Sequence, residues 1–171
     1  MSTNYENQVR IDYVRVPMHN GVELCAKITR PDAPGSFPAI MEYNPYRRLR
    51  EPLSDYRNEY PPVVPYLAEH GYAIVQFDVR GTGNSGGWTT DIYNDVERHD
   101  AYDMVGWIAD QPWSNGKVAT IGCSSSAEWQ MALAAMDHPA HAAMVPMAPG
   151  AGIGTVGEFW EQGNWYRGGA E

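Results

Sequence analysis

Cysteine is scarce in this chain of 171 residues, which contains only Cys25 and Cys123. The two lie far apart and in no spacing typical of a metal site, so neither a disulfide framework nor a zinc site is predicted. Unpaired thiols are typical of a reducing compartment. Because the N-terminus is polar and lacks the apolar core of a signal peptide, the sequence predicts a cytoplasmic protein.

Long apolar runs and an excess of basic residues are also missing. No segment reaches the roughly 20 apolar residues that a membrane-spanning helix needs. Lys and Arg number 12 against 21 Asp and Glu, which gives a net charge of −9. Such a chain is poorly suited to bind nucleic acid or an anionic membrane. Its hydrophobic fraction of 43% is nevertheless sufficient for a globular core.

The hydrophobic pattern predicts an α/β protein. Two alternating segments flank the turn at 19–21, as the strands of an antiparallel hairpin do. From residue 72 onward strands alternate with helices, which predicts right-handed crossovers and a mostly parallel sheet. The predicted strands cover 9–18, 22–30, 37–44, 72–79, 117–122 and 141–148, and the predicted helices cover 63–70, about 94–109 and 125–138.

A glycine-rich loop, GTGNSG at 81–86, follows the fourth strand and matches the pattern G-x-G-x-x-G. In a dinucleotide site the helix begins inside the glycines, so that its N-terminus meets the pyrophosphate. Here the predicted helix begins about eight residues later. The loop is therefore interpreted as a tight connection at the carboxyl end of a strand. No nucleotide, other cofactor or metal is predicted.

A second loop joins a strand to a helix within ATIGCSSSAEWQ, residues 119–130. A nucleophile on such a sharp turn needs small residues two positions before and after it. Ser124, between Gly122 and Ser126, meets this condition better than the other members of the CSSS cluster. The first amide of the helix, on Ser125, would then face a developing oxyanion. The spacing leaves open the alternative that these serines only cap the helix.

Three separated motifs carry a family resemblance: EYNPYR at 42–47, DVRGTGNSGG at 78–87 and AYDMVGWIADQPWSNGKVATIGCSSSAEWQ at 101–130. The sequence resembles the Xaa-Pro dipeptidyl-peptidase and cocaine-esterase-like serine hydrolases, which include the α-amino-acid ester hydrolases. The resemblance runs from about residue 10 to the end. It implies an α/β-hydrolase fold. It also implies a serine hydrolase that cleaves ester or peptide and amide bonds of small-molecule or peptide substrates through an acyl-enzyme.

The resemblance also implies residue roles. The family's turn motif, G-x-S-Y-x-G, aligns with residues 122–127 and makes Ser124 the nucleophile, with the backbone N–H of Ser125 in the oxyanion hole. A tyrosine in the family's N-P-Y motif lends its hydroxyl to the same hole, and this matches Tyr46. The chain departs from the motif at two positions, with Ser125 in place of the usual tyrosine and Ala127 in place of the usual glycine.

A nucleophilic serine needs a histidine base and an acid that orients it, and in this family both follow the serine. The later histidines, His138 and His141, are predicted at the far end of the sheet. We therefore expect a fold truncated after its sixth strand, with residues 1–150 as the N-terminal part of the hydrolase domain and 151–171 as the start of a helical cap. Base and acid would lie outside the chain. The other hypothesis is a catalytically incomplete fragment that acts as a non-enzymatic binding module.

The last predicted strand, 141–148, would then be an open apolar edge. Unpaired edge strands offer backbone donors and acceptors to other chains. The sequence therefore predicts self-association through this edge.

Overall fold

The computed structural model describes residues 8–46, 63–88 and 95–149. All predicted strands and helices occur there, whereas the predicted cap at 151–171 lies outside the described residues. The strands are β1 (Val9–Pro17), β2 (Glu23–Pro31), β3 (Phe37–Asn44), β4 (Ala73–Asp78), β5 (Ser114–Cys123) and β6 (His141–Met147), and the helices are α1 (Val63–Glu69), α2 (Asp95–Ala109) and α3 (Ser125–Ala135).

Two element boundaries differ from the sequence prediction. β5 starts at Ser114 rather than at residue 117, because its ladder with β3 already begins at the pair Phe37–Ser114. α3 ends at Ala135 rather than at residue 138. The chain leaves the helix there because Asp137 adopts a left-handed conformation with φ 51°.

The six strands form one sheet in the order β1-β2-β4-β3-β5-β6. β1 pairs antiparallel with β2 and β2 antiparallel with β4, while β3, β4, β5 and β6 run parallel. The predicted hairpin edge on a mostly parallel sheet is thus confirmed. The carboxyl ends of four parallel strands meet at one edge of the sheet, where side chains from several loops can converge.

Helices cover the two faces of the sheet unequally. α2 and α3 pack on β3 and β5, with α3 reaching β6, and α1 packs on β2 and β4 on the other face. β4 is buried along its whole length, as its continuous apolar run predicts. The predicted apolar face of α2 is fully buried: Ala101, Met104, Val105 and Ile108. None of the helices in the described segments is both long and apolar enough to cross a bilayer.

The α1 side of β5 and β6 carries exposed apolar side chains. Val145 and Met147 on β6 are 51% and 44% exposed, and they pair with Ile121 and Cys123 of β5. Proteins rarely leave such contiguous apolar surface in contact with water. We therefore propose this surface as a route for association.

Among the described residues no strand pairs with the outer edge of β6, and the sequence of this strand limits pairing there. The carbonyl of Met147 accepts a hydrogen bond from Ser124 N and so faces inward. Backbone groups alternate along a strand, so those of Pro146 face outward, away from β5. Proline has no N–H to donate, and proline on an edge strand is a known defence against pairing.

We expect the chain to self-associate in solution through the exposed apolar side chains of β6. Val145→Lys should shift the chain towards monomer, because a lysine on this surface opposes burial against a second copy. Val96→Lys, at a valine on α2 that is 41% exposed, serves as the matched control and should leave association unchanged. Size-exclusion chromatography with light scattering measures both. A wild-type chain that elutes as a compact monomer would contradict the prediction.

Candidate functional site

The turn between β5 and α3 places Ser124 in a strained conformation. Its backbone has φ 56° and ψ −122°, and its side chain makes no capping hydrogen bond to α3. Residues other than glycine reach such a conformation at a cost of about 1–3 kcal/mol. The residue is exposed. Because the side chain of Ser124 makes no hydrogen bond to the helix that it precedes, the capping interpretation of this side chain has no support in the geometry.

Gly122 makes the sharp turn sterically possible. A Cβ atom at this position would lie 2.5 Å from Cβ of Ser126 and closer still to the Ser126 carbonyl oxygen. The strand and the first turn of α3 thus approach so closely that only glycine fits. Ser126 itself is buried, with 1% of its surface exposed, so its hydroxyl is out of reach of a substrate. Among the three serines, Ser124 is the most exposed, Ser125 is half-buried and Ser126 is buried.

Backbone hydrogen bonds hold Ser124 from both sides. Its N–H donates to the carbonyl of Met147 at 3.0 Å, and its carbonyl accepts from Ala127 N at 2.7 Å. The first bond ties the turn to the end of β6, and the second closes the first turn of α3. The amide of Ser125 belongs to that first turn, where N–H groups have no acceptor within the helix.

The N-P-Y motif forms a tight turn at the end of β3. The Asn44 side chain accepts a hydrogen bond from Tyr46 N at 2.8 Å, which is the geometry of an Asx turn. Asn44 is buried and its amide donates to Glu42 at 3.0 Å. The turn carries Tyr46 over the strand end, and its phenol lies 3.0 Å from Oγ of Ser125. The structure therefore brings Tyr46, Ser124 and Ser125 together.

Trp129 fixes α3 against the end of β3. Its indole N–H donates to the carbonyl of Tyr43 at 2.9 Å, and its ring meets the Tyr43 ring edge-on at a centroid distance of 5.6 Å. One helical turn before Trp129 lies Ser125, and three residues after Tyr43 lies Tyr46. The contacts of Trp129 therefore fix the start of α3, which carries Ser125, relative to the end of β3, which leads to Tyr46.

A cavity of about 200 Å³ lies between α1 and the sheet on the other side of the turn. Its lining is mostly apolar and includes Gly122, Cys123 and Met147 next to Ser124. The buried carboxylate of Glu42 also lines it and accepts a hydrogen bond from Gln76 at 2.9 Å. A mostly apolar space thus adjoins the residues that precede the turn.

All five histidines fall within the described segments, and none of them partners Ser124 there. His138 and His141 lie at the amino end of β6, as predicted. His141 contacts Thr120 at 3.0 Å and pairs with Val118, about 20 Å of extended chain from Ser124. Burial lowers the pKa of both imidazoles. His70 contacts the carbonyl of Tyr66 ahead of β4.

His19 and His99 lie at the edge of the sheet where the parallel strands have their carboxyl ends, but on the side of the β1–β2 hairpin. His19 Nδ1 contacts the carboxylate of Asp103 on α2 at 2.6 Å, and the His99 ring packs against it. The contact between His19 and Asp103 could not be found from sequence, because the two residues are 84 positions apart and follow no motif. Ser124 follows β5, three strand spacings or about 14 Å from β2, so neither ring reaches its hydroxyl.

Backbone N–H groups of the loop at 81–86 already have hydrogen-bond acceptors within the protein. Gly81 N bonds Gly86 O, Gly86 N bonds Glu23 O, and Asn84 N bonds the carboxylate of Asp78 at 2.9 Å. These N–H groups are therefore not available to cradle a phosphate, and α2 begins only at Asp95. The described segments also contain no cluster of three or more His, Cys, Asp or Glu side chains able to hold a metal ion.

The model of the family described as X-Pro dipeptidyl-peptidase (S15 family) matches residues 20–170. The chain belongs to this family. The S15 assignment confirms the resemblance predicted from the three motifs.

One curated relative is the cocaine esterase of Rhodococcus sp. (strain MB1 Bresler). It is 33% identical to this S15 chain over 122 residues, which cover 70% of the chain and 20% of the esterase. The chain thus spans about a fifth of that relative's length.

Solved structures confirm the predicted α/β-hydrolase fold. An α-amino acid ester hydrolase superposes with a TM-score of 0.75 at 25% identity, over 98% of this chain and 28% of that one. A CocE/NonD family hydrolase from Staphylococcus aureus superposes with a TM-score of 0.73 at 21% identity, over 95% of this chain and 34% of that one. The S15 chain therefore corresponds to about a third of the length of each of these two hydrolases.

Proposed function

We propose that this S15 chain carries the nucleophile and oxyanion hole of a serine hydrolase that transfers the acyl group of an ester or of a peptide or amide to water. The observation that carries the proposal is the exposed, strained and uncapped Ser124 on the strand-to-helix turn. Evolution retains backbone strain mainly where it serves a site. Membership of a hydrolase family supports the same conclusion.

In this proposal Ser124 Oγ attacks the carbonyl carbon of the substrate. The tetrahedral oxyanion that forms accepts hydrogen bonds from the N–H of Ser125 and from the Tyr46 phenol. Collapse of the intermediate breaks the bond to the leaving alcohol or amine and leaves an acyl-serine. Water then releases the carboxylic acid and regenerates Ser124.

The proton acceptor is a histidine that does not belong to these 171 residues. Each of the chain's own histidines is engaged elsewhere or lies too far from Ser124. The same observation favours the second candidate function, a binding module without catalysis. The two are separated by whether Ser124 reacts. A cytoplasmic location remains a prediction, in keeping with two free cysteines.

A fluorophosphonate probe tests the proposal, because it phosphonylates activated serines. Because the histidine base lies outside the chain, we expect slow labelling of the chain alone and faster labelling of a longer protein that supplies the base, and Ser124→Ala should abolish both. Ser126→Ala removes a neighbouring hydroxyl that is buried and should leave labelling intact. Retained labelling in Ser124→Ala would refute the assignment of the nucleophile. Absence of labelling both in the wild-type chain and in the longer protein would favour the binding module.

A further inference from the structure

We propose that the side chain of Ser125 positions the Tyr46 phenol in the oxyanion hole. Ser125 then acts through its hydroxyl as well as through its backbone N–H. This inference rests on the proposed function, because it concerns the donor that Tyr46 offers to the oxyanion. Its starting observation is the distance of 3.0 Å between the Tyr46 and Ser125 hydroxyl oxygens.

Packing alone does not fix the Tyr46 ring. The residue is 58% exposed, whereas its backbone is held by the bond from Tyr46 N to the Asn44 side chain. The bond at Tyr46 N fixes the backbone position of the residue but not its side-chain χ angles, which depend on contacts of the ring and the hydroxyl. Among the residues that the structure describes, Ser125 Oγ is bonded to the far end of this side chain, where a contact can fix the phenol.

The Ser125 hydroxyl is well placed for this role. Ser125 starts α3, and the bond from Trp129 to the carbonyl of Tyr43 ties that helix to the end of β3. The Ser125 hydroxyl is thus a fixed point in relation to the turn that carries Tyr46. An exposed side chain bonded to a fixed point loses its freedom before the substrate arrives, which is how an oxyanion hole is preorganised.

Hydroxyl chemistry allows the pair to change roles when the oxyanion forms. A serine or tyrosine hydroxyl both donates and accepts. Before reaction the Tyr46 O–H donates to Ser125 Oγ. When the oxyanion appears, Tyr46 turns its proton to it and accepts a hydrogen bond from Ser125 in exchange. A phenol that accepts such a bond is a stronger donor, because linked hydrogen bonds polarise one another.

A double-mutant cycle on the rate of phosphonylation tests the inference. Tyr46→Phe should slow the reaction by about 100-fold, the loss typical of one oxyanion-hole donor. Ser125→Ala should slow it by about 5-fold, the loss expected for one neutral hydrogen bond, without weakening the initial binding of the probe. The double variant should react no more slowly than Tyr46→Phe alone. Additive losses would overturn the inference.

Three controls separate positioning from folding. Ser125→Thr keeps a hydroxyl and should retain most of the rate, and Ser126→Ala should match the wild-type chain. Unchanged thermal unfolding of Ser125→Ala excludes a general loss of structure. A Ser125→Thr variant as slow as Ser125→Ala would count against the hydroxyl.

A spectroscopic readout keeps this inference distinct from the proposed function. In the full chain labelled with isotope-enriched tyrosine, the Cζ resonance missing from Tyr46→Phe identifies Tyr46. We expect Ser125→Ala to shift that resonance and Ser126→Ala to leave it in place. If no variant reacts at Ser124 but the shift is seen, the proposed function fails and the contact stands. If the resonance does not move, the positioning role is refuted.

Discussion

Gly122→Ala is expected to destabilise the protein by about 3 kcal/mol, at the upper end of the usual cost of overpacking, and to abolish labelling at Ser124. The added Cβ would collide with the Cβ and carbonyl oxygen of Ser126, which belong to the first turn of α3. Backbone atoms cannot rotate away as a side chain can. The helix start must therefore move off the strand, and the strained turn at Ser124 opens.

Gly106→Ala is the matched control for this substitution. Gly106 lies in α2, and the nearest atom to its added Cβ is Nε2 of the His138 side chain at 3.3 Å. Alanine also favours helix over glycine by about 1 kcal/mol, which offsets that contact. Urea denaturation followed by circular dichroism compares the two variants. A Gly122→Ala protein as stable and as reactive as Gly106→Ala would refute the close approach of strand and helix.

Asp100→Ala is expected to destabilise the protein by about 3–5 kcal/mol, the cost of leaving one member of a buried ion pair alone. The Arg80 guanidinium donates to both carboxylate oxygens of Asp100, with Nε at 2.8 Å. Their side chains are 6% and 0% exposed. Without the carboxylate, the guanidinium keeps a bond to Asn20 but loses the charge that compensates it inside the protein.

The neighbouring Tyr43 hydroxyl depends on the same carboxylate. It donates to Asp100 at 3.4 Å, and burial together with the charge of Asp100 raises the pKa of Tyr43 well above its ordinary value. Tyr43 also accepts from the backbone N–H of Arg80. Loss of Asp100 therefore disturbs the end of β3, from which Tyr46 is presented.

Asp95→Ala is the control for the ion pair, because it removes the same side chain from the same helix. Asp95 pairs with Arg98 at 2.7 Å in an exposed setting, where ion pairs contribute about 0–1 kcal/mol. A double variant with Arg80→Met and Asp100→Leu should recover most of the stability, since it leaves no uncompensated charge. If Asp100→Ala costs no more than Asp95→Ala, the buried pair is not a determinant of stability.

Much of the fold could be predicted because its signals are local. The apolar run of β4 marks a strand covered on both faces, and α2 shows its buried face in the spacing of Ala101, Met104, Val105 and Ile108. The steric requirement for a small residue two positions before a sharp turn singled out Gly122 and Ser124. A hairpin placed before alternating strands and helices predicts a mostly parallel sheet with an antiparallel edge, but it does not predict the sheet order β1-β2-β4-β3-β5-β6.

The rest depends on contacts between distant residues, which periodicity does not encode. Arg80 and Asp100 lie on a loop and a helix, and each taken alone is typical of an exposed charge. The resemblance matched Tyr46 to the oxyanion hole, but no pattern indicated that its phenol contacts the side chain of Ser125. The sequence predicts self-association through the open edge of β6, but it does not show which backbone groups of that strand, such as those of Pro146, face outward.

The most direct test of the account is to locate the probe on the chain. After reaction with a fluorophosphonate, the protein is digested and the modified residue is identified by tandem mass spectrometry. The account predicts a single adduct on Ser124. An adduct on Cys123, Ser125 or Ser126 with Ser124 unmodified would contradict it.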